Sequence, residues 1–191
     1  MYRTVQDPYC YPGSSVLRNR LDLRTQAELE AFESFITAQR ADEPLPIGRL
    51  SYTHYRAIHR HLFQDVYVWA GRIRAVRIAK QGSMFAYPEH IDREMRKLFR
   101  RLAAEKHFRK LDREGFARKC AHFLAELNAI HPFREGNGRT QLTFLTLLAE
   151  RAGHPLDLRR LRPAAVLSAT IRSFGGKEDA LERVIRDLIR R

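Results

Sequence analysis

The sequence predicts a mainly α-helical bundle that carries one β-hairpin. Apolar residues recur at helical spacing through most of the 191 residues, as in amphipathic helices packed around a core. Capping residues, glycines and prolines divide this pattern into separate helices. The period becomes strand-like once, at about residues 72–87. A chain of this length is expected to form one domain with a substantial core.

The first elements follow from local signals. Residues 1–24 are predicted to be an irregular N-terminal segment, because prolines and a glycine interrupt them. Thr25 and Glu28 have the spacing of a capping box, which predicts a helix to about Arg40. Ser51 is expected to cap the second helix.

The hairpin prediction depends on a change of period after the second helix. That helix is expected to continue through Trp69 and to end at Gly71. An imperfect alternation over 72–80 then predicts a strand, Gln81-Gly82 a turn, and residues 83–86 a short returning strand. An isolated hairpin is marginal in water, so this one must pack against the helices.

The rest of the chain has helical periodicity. Further helices are predicted at about 88–105, 112–129, 138–152, 163–173 and 178–190. We expect a core over 25–175 and an amphipathic C-terminal helix within 176–191. Such a helix packs more often on its own core than on a partner.

The composition excludes fewer classes of function than the motifs do. The 35 basic and 22 acidic residues give a net charge of +13, dispersed along the chain. This charge fits the solvated surface of a nucleotide-binding protein, or a nucleic-acid partner, although no nucleic-acid motif accompanies it. Neither a signal peptide nor a membrane span is predicted, and Cys10 and Cys120 are expected to be reduced thiols.

The segment from His131 to Arg139 (HPFREGNGR) concentrates useful chemistry in nine residues. His131 follows a predicted helix, where a histidine can accept a proton near neutral pH. Glu135 offers a carboxylate for a metal ion. The residues 136–138 let a phosphate approach the N–H groups that begin the next helix, and Arg139 adds a cation. Together these groups predict a nucleotide-handling site.

This run matches the first nine positions of the Fic (Fic/Doc) family signature, H-P-F-x-[D/E]-G-N-G-R-x-x-R, and the chain resembles that family. The resemblance extends to the segments 58–71 and 72–86, and it covers about residues 10–175. The small bacterial toxins and type IV secreted effectors of the family are the most similar members. The fold that this resemblance implies is a Fic-type helical bundle with one β-hairpin flap.

The resemblance also implies an activity, namely transfer of AMP from ATP to a hydroxyl of a target protein. His131 would deprotonate the hydroxyl, and Glu135 would bind Mg²⁺. The α- and β-phosphates would be held by Gly136, Asn137, Gly138 and Arg139. The flap would dock the target by strand addition. The flap residues expected to do so are Lys80, Gln81, Gly82, Ser83, Met84 and Phe85.

The twelfth position of the signature departs from the family, because Leu142 stands where an arginine contacts the γ-phosphate. Three readings remain open: weakened AMP transfer, a donor held without a γ-phosphate contact, or a binding module without turnover. A basic neighbour, Arg134, Arg159 or Arg160, is a candidate substitute.

The resemblance implies several partners. The target would present a Tyr, Ser or Thr, either on a type II topoisomerase subunit or on a host protein. Nucleic acid would then be contacted only indirectly. The inhibitory motif S/T-x-x-x-E-G/N is not found in the sequence, so inhibition would come in trans from a small antitoxin. The protein is expected in the bacterial cytoplasm or, after type IV secretion, in another cell.

Overall fold

A computed structural model describes residues 7–80 and 83–190, and within them the fold is mainly α-helical. Two short 3₁₀ turns supplement the regular elements. The elements are α1 (Gln26–Asp42), α2 (Tyr52–Phe63), β1 (Ala79–Lys80), β2 (Ser83–Met84), α3 (Pro88–Ala104), α4 (Arg113–Ile130), α5 (Asn137–Ala152), α6 (Pro163–Phe174) and α7 (Asp179–Leu188).

Side-chain caps begin three of these helices where the sequence predicts them. The Thr25 hydroxyl oxygen accepts a hydrogen bond from the Glu28 N–H at 3.3 Å, as at the start of a capping box, and the hydroxyl donates to the Glu28 carboxylate at 2.6 Å. Ser51 accepts from the His54 N–H at 3.2 Å, and Asp112 accepts from the Gly115 N–H at 2.8 Å. The predicted starts of α1, α2 and α4 are confirmed.

Helix α4 forms the centre of the bundle and packs against α3, α5, α6 and α7, while α2 packs against α1 and α5. Helix α7 buries Leu181, Ile185 and Leu188, so its apolar face packs on the core of its own chain. Cys10 and Cys120 are both buried and free. Among the described residues, no helix combines the length and the apolar character that a bilayer span requires.

The second helix ends earlier than its periodicity predicts. It stops at Phe63, and residues 64–71 form consecutive turns that still bury Val66, Tyr67 and Trp69. In a continuous helix Tyr67 would lie about 100° around the axis from Val66. The turns let all three side chains face the core, with the Tyr67 and Trp69 rings stacked at 4.2 Å. The prediction of a helix through Trp69 was therefore wrong.

The first predicted strand, within residues 72–80, is much shorter than expected and is reduced to Ala79–Lys80. Pairing is limited to the antiparallel registers Ala79–Met84 and Lys80–Ser83. The Arg74 guanidinium instead donates to the carbonyl oxygens of Val76 and Ala86, which a longer ladder would have used. The predicted turn residues Gln81 and Gly82 lie outside the described residues.

Candidate active site

His131 occupies the C-cap of α4 in the left-handed conformation, with φ 49° and ψ 66°. Its N–H donates to the Leu127 carbonyl at 3.0 Å, which closes the last turn of the helix. The imidazole is half-buried and stacks on the Phe85 ring at 3.8 Å between centroids. The end of α4 thus presents the imidazole to the cavity described below.

Arg74 stabilises the C-terminal end of α4 through hydrogen bonds to its backbone. It is 1% exposed, and its guanidinium donates to four carbonyl oxygens. The acceptors are His131 at 2.8 Å, Ile130 at 3.3 Å, Val76 at 2.6 Å and Ala86 at 2.7 Å. Burial lowers the pKa of Arg74 to about 10, which leaves it a cation at neutral pH. Arg74 therefore joins the residues beside the hairpin to the backbone of His131.

The loop after His131 is closed by its own side chains. The Asn137 carboxamide accepts from the Phe133 N–H at 3.0 Å and donates to the Phe133 carbonyl at 2.8 Å. Gly136 has φ +80°, and a Cβ there would lie 2.3 Å from the Phe63 ring. Only glycine fits both the conformation and the space. Because the buried Asn137 side chain holds the loop, its backbone N–H is the group left to face a phosphate.

His59 supports the same loop from α2, a role that the sequence analysis missed. The Gly71 N–H donates to Nδ1 at 2.8 Å, so the proton lies on Nε2, which donates to the Glu135 carbonyl at 3.0 Å. The imidazole stacks on Phe133 at 3.7 Å. Burial lowers the pKa of His59 to about 3, so this histidine stays neutral.

The buried His59 makes stability pH-dependent. The unfolded chain protonates this histidine near pH 6.5 and the folded chain does so only near pH 3, so the free energy of unfolding falls as pH drops through this window. Between pH 6.5 and pH 5 the expected loss is about 2 kcal/mol. Urea unfolding at both values, compared with His59→Gln, measures it. Equal losses in the two proteins would contradict the assignment.

The anion site is predicted at the start of α5. Its first N–H groups have no acceptor within the helix, and the positive end of the helix dipole lies behind them. The space around Gly138 is open to 4 Å, which leaves room for a ligand beside the backbone. The Arg139 guanidinium lies 4.7 Å from the centroid of the Phe63 ring. Gly138 and Arg139 line a cavity of about 760 Å³ together with His131, Glu135 and Leu142.

Glu135 presents a half-exposed carboxylate to this cavity. One carboxylate oxygen accepts from the Gly136 N–H at 2.8 Å and lies 3.8 Å from Arg139 Nη2. The described residues contain no cluster of three or more potential metal ligands. Mg²⁺ is commonly held by one or two carboxylates together with substrate phosphates, so a single carboxylate beside an anion site fits that ion.

The structure places part of the predicted flap at the same cavity. Phe85 lines the cavity and contacts the His131 ring, whereas Met84 is exposed. The backbones of Lys80 and Ser83 pair with each other, but their side chains are not among the described groups. The structure describes the side chains of two predicted docking residues, Met84 and Phe85, and of these Phe85 lies at the site.

Leu142 lies one helical turn beyond Arg139 and lines the cavity beside apolar residues of α5 and α6. Among the proposed basic substitutes, Arg134 also lines it, with its Nε donating to Asp7 at 2.8 Å. Arg159 and Arg160 line a separate cleft with Arg190. Arg134 therefore remains a candidate for the γ-phosphate contact, whereas Arg159 and Arg160 do not line this cavity.

A helical bundle with His131 beside the start of α5 agrees with the Fic-type fold that the sequence resemblance implies. Residues 49–149 match the Fic/DOC family, and the chain belongs to it. The chain is 52% identical over 189 residues to the probable protein adenylyltransferase y4lH of Sinorhizobium fredii, and the match covers 98% of each chain. It is 39% identical to the protein adenylyltransferase VbhT of Bartonella schoenbuchensis, over 97% of this chain and 39% of VbhT.

The solved structures agree with the fold. The N-terminal Fic domain of a VirB-translocated Bep effector protein from Bartonella quintana, crystallised with bound ADP, superposes with a TM-score of 0.86. The two chains are 28% identical, and the match covers 95% of this chain and 94% of that one. A mainly α Fic fold is established for this protein.

Proposed function

We propose that the chain is a protein adenylyltransferase that moves AMP from Mg²⁺–ATP to a Tyr, Ser or Thr hydroxyl of a target protein. The observation that carries this proposal is the shared cavity wall formed by His131, Glu135 and the first residues of α5. The relatives named as adenylyltransferases support the same reaction.

The proposed reaction is a single displacement at the α-phosphorus. The target oxygen forms a bond to that phosphorus while the bond to the β-phosphate bridging oxygen breaks, and pyrophosphate leaves. The hydroxyl proton passes to the His131 imidazole. Arg139 and the backbone N–H groups of residues 137–139 bind the phosphate oxygens, so they orient the α-phosphorus toward the target oxygen. Mg²⁺ held by Glu135 supplies neutralisation of phosphate charge.

Target docking is proposed for the hairpin at 79–84. Its backbone can pair with an extended target segment, which brings a target side chain close to Phe85 and His131. The residues Lys80, Gln81, Gly82 and Ser83 remain predictions for this contact. The target is proposed to be a type II topoisomerase subunit in the bacterial cytoplasm or a host protein after type IV translocation, with a small antitoxin as inhibitor in trans.

Labelled ATP tests the reaction. Purified protein is incubated with bacterial lysate and either α-labelled or γ-labelled ATP. AMP transfer predicts label on a protein band from the α-position alone. Label from the γ-position, or α-label that persists in His131→Ala, would contradict the proposal.

Leu142 is proposed to limit the rate. An arginine at this position can contact the γ-phosphate, and one charge-stabilising donor contributes about 10²-fold to a rate. We therefore expect Leu142→Arg to raise AMP transfer by about 10²-fold, measured as initial velocity at saturating ATP.

Leu142→Lys is the matched control, because it adds charge without the forked geometry. No gain with arginine would mean that another group, such as Arg134, already contacts the γ-phosphate. If the wild-type protein binds ATP without transferring AMP, and only Leu142→Arg transfers it, the result favours a binding module without turnover.

A further inference from the structure

We propose that Glu33 of α1 is a positioning residue for the phosphate-binding Arg139, an inference that rests on the proposed function. Glu33 lies outside the residues 49–149 that match the family. Its carboxylate nevertheless forms an ion pair with Arg139 Nη2. A residue 106 positions away in the sequence thus contacts the nucleotide site.

The carboxylate of this pair is buried, whereas the guanidinium is partly exposed at the cavity. The Glu33 side chain is 10% exposed and that of Arg139 is 37% exposed. The second carboxylate oxygen of Glu33 accepts a hydrogen bond from the Tyr67 hydroxyl. Burial and the Glu33 charge raise the pKa of Tyr67, which keeps this hydroxyl protonated as a donor. Both oxygens of Glu33 are therefore satisfied, and its orientation is set by the protein.

Two further contacts restrict the guanidinium. Thr37 Oγ1 accepts from Arg139 Nη1 at 3.2 Å and donates to the Glu33 carbonyl at 2.7 Å. The Phe63 ring lies against the guanidinium at 4.7 Å. A carboxylate, a hydroxyl and an aromatic ring hold the group, while the residue still lines the cavity. Arg139 is consequently oriented before a phosphate arrives.

The pair also limits how closely Arg139 approaches Glu135, with which it forms a second and longer ion pair. Arg139 and Glu135 are four residues apart on the chain, and the nearest oxygen lies 3.8 Å from Nη2. Without Glu33, the guanidinium would be drawn onto Glu135 because that carboxylate is the nearest remaining negative charge. Arg139 would then cover the proposed magnesium ligand. Glu33 thereby keeps the cation and the carboxylate available for separate tasks.

ADP affinity tests this role, because binding does not depend on turnover. Titration calorimetry of Glu33→Ala is expected to show a dissociation constant about tenfold weaker than wild type, the cost of ordering one long side chain. Glu33→Gln can still accept from Arg139 and should lose about threefold. Glu30→Ala, an exposed change on the same helix, is the matched control and should bind as wild type does.

A double-variant cycle separates positioning from general damage. Once Arg139→Ala has removed the guanidinium, adding Glu33→Ala should weaken ADP binding no further. Additive losses, or binding by Glu33→Ala as tight as wild type or tighter, would overturn the inference. If thermal unfolding shows that Glu33→Ala does not fold, the same cycle is measured with Glu33→Gln in its place, and the same two outcomes support or overturn the inference. Wild-type protein that binds neither ADP nor ATP would overturn the proposed function as well.

Discussion

Replacing His131 with alanine is expected to lower the rate of AMP transfer by about 10²–10⁴-fold, the usual contribution of a positioned general base. The imidazole is the proton acceptor proposed for the reaction, and it lines the cavity beside the start of α5. Nucleotide affinity should change little, because the groups proposed to bind phosphate belong to α5. The loss should therefore appear in kcat and not in the dissociation constant for ADP.

Single-turnover transfer with α-labelled ATP and calorimetry with ADP measure the two quantities. His122→Ala is the matched control, since His122 lies on the same helix, is exposed and pairs with Glu178. His131→Asn adds a second test, because asparagine tolerates the left-handed conformation. A rate within tenfold of wild type in both His131 variants would rule out His131 as the base.

Replacing Arg74 with methionine is expected to lower the free energy of unfolding by about 3 kcal/mol, because several buried carbonyl oxygens lose their donor. Methionine follows the aliphatic part of the arginine side chain but carries no hydrogen-bond donor. The same change should reduce transfer, since the His131 carbonyl is one of the four acceptors.

Urea unfolding at neutral pH measures the loss of stability. Arg72→Met removes an exposed arginine from the same segment and serves as the matched control, with an expected change within about 0.5 kcal/mol. A loss below about 1 kcal/mol for Arg74→Met would mean that water replaces the guanidinium at these carbonyls.

The confirmed predictions depend on contacts between residues that are close to each other in the sequence. Thr25, Ser51 and Asp112 cap their helices through contacts three residues away, so the sequence alone identifies them. The segment 131–139 is also compact enough for its groups to meet in one cavity. The roles of its residues in binding and catalysis stay predictions.

The features that sequence analysis missed depend on distant contacts. Arg74 is one of several alternating arginines in the sequence, and nothing local indicates that two of its four acceptors lie 56 and 57 residues away. Glu33 and Thr37 did carry a signal, because they follow Leu29 at intervals of four on the face of α1 that is buried. Polar residues on an inward face indicate a paired network, as does His59 on the inward face of α2.

The left-handed backbone at residue 131 has an evolutionary consequence. When a helix ends on a residue in this conformation, that residue is usually glycine or asparagine. For most other residues the left-handed conformation costs about 1–2 kcal/mol. Selection for robustness alone would drive position 131 toward one of those two residues. With the proposed role for His131, a histidine there trades folding stability for chemistry, and relatives without that chemistry are expected to carry glycine or asparagine instead.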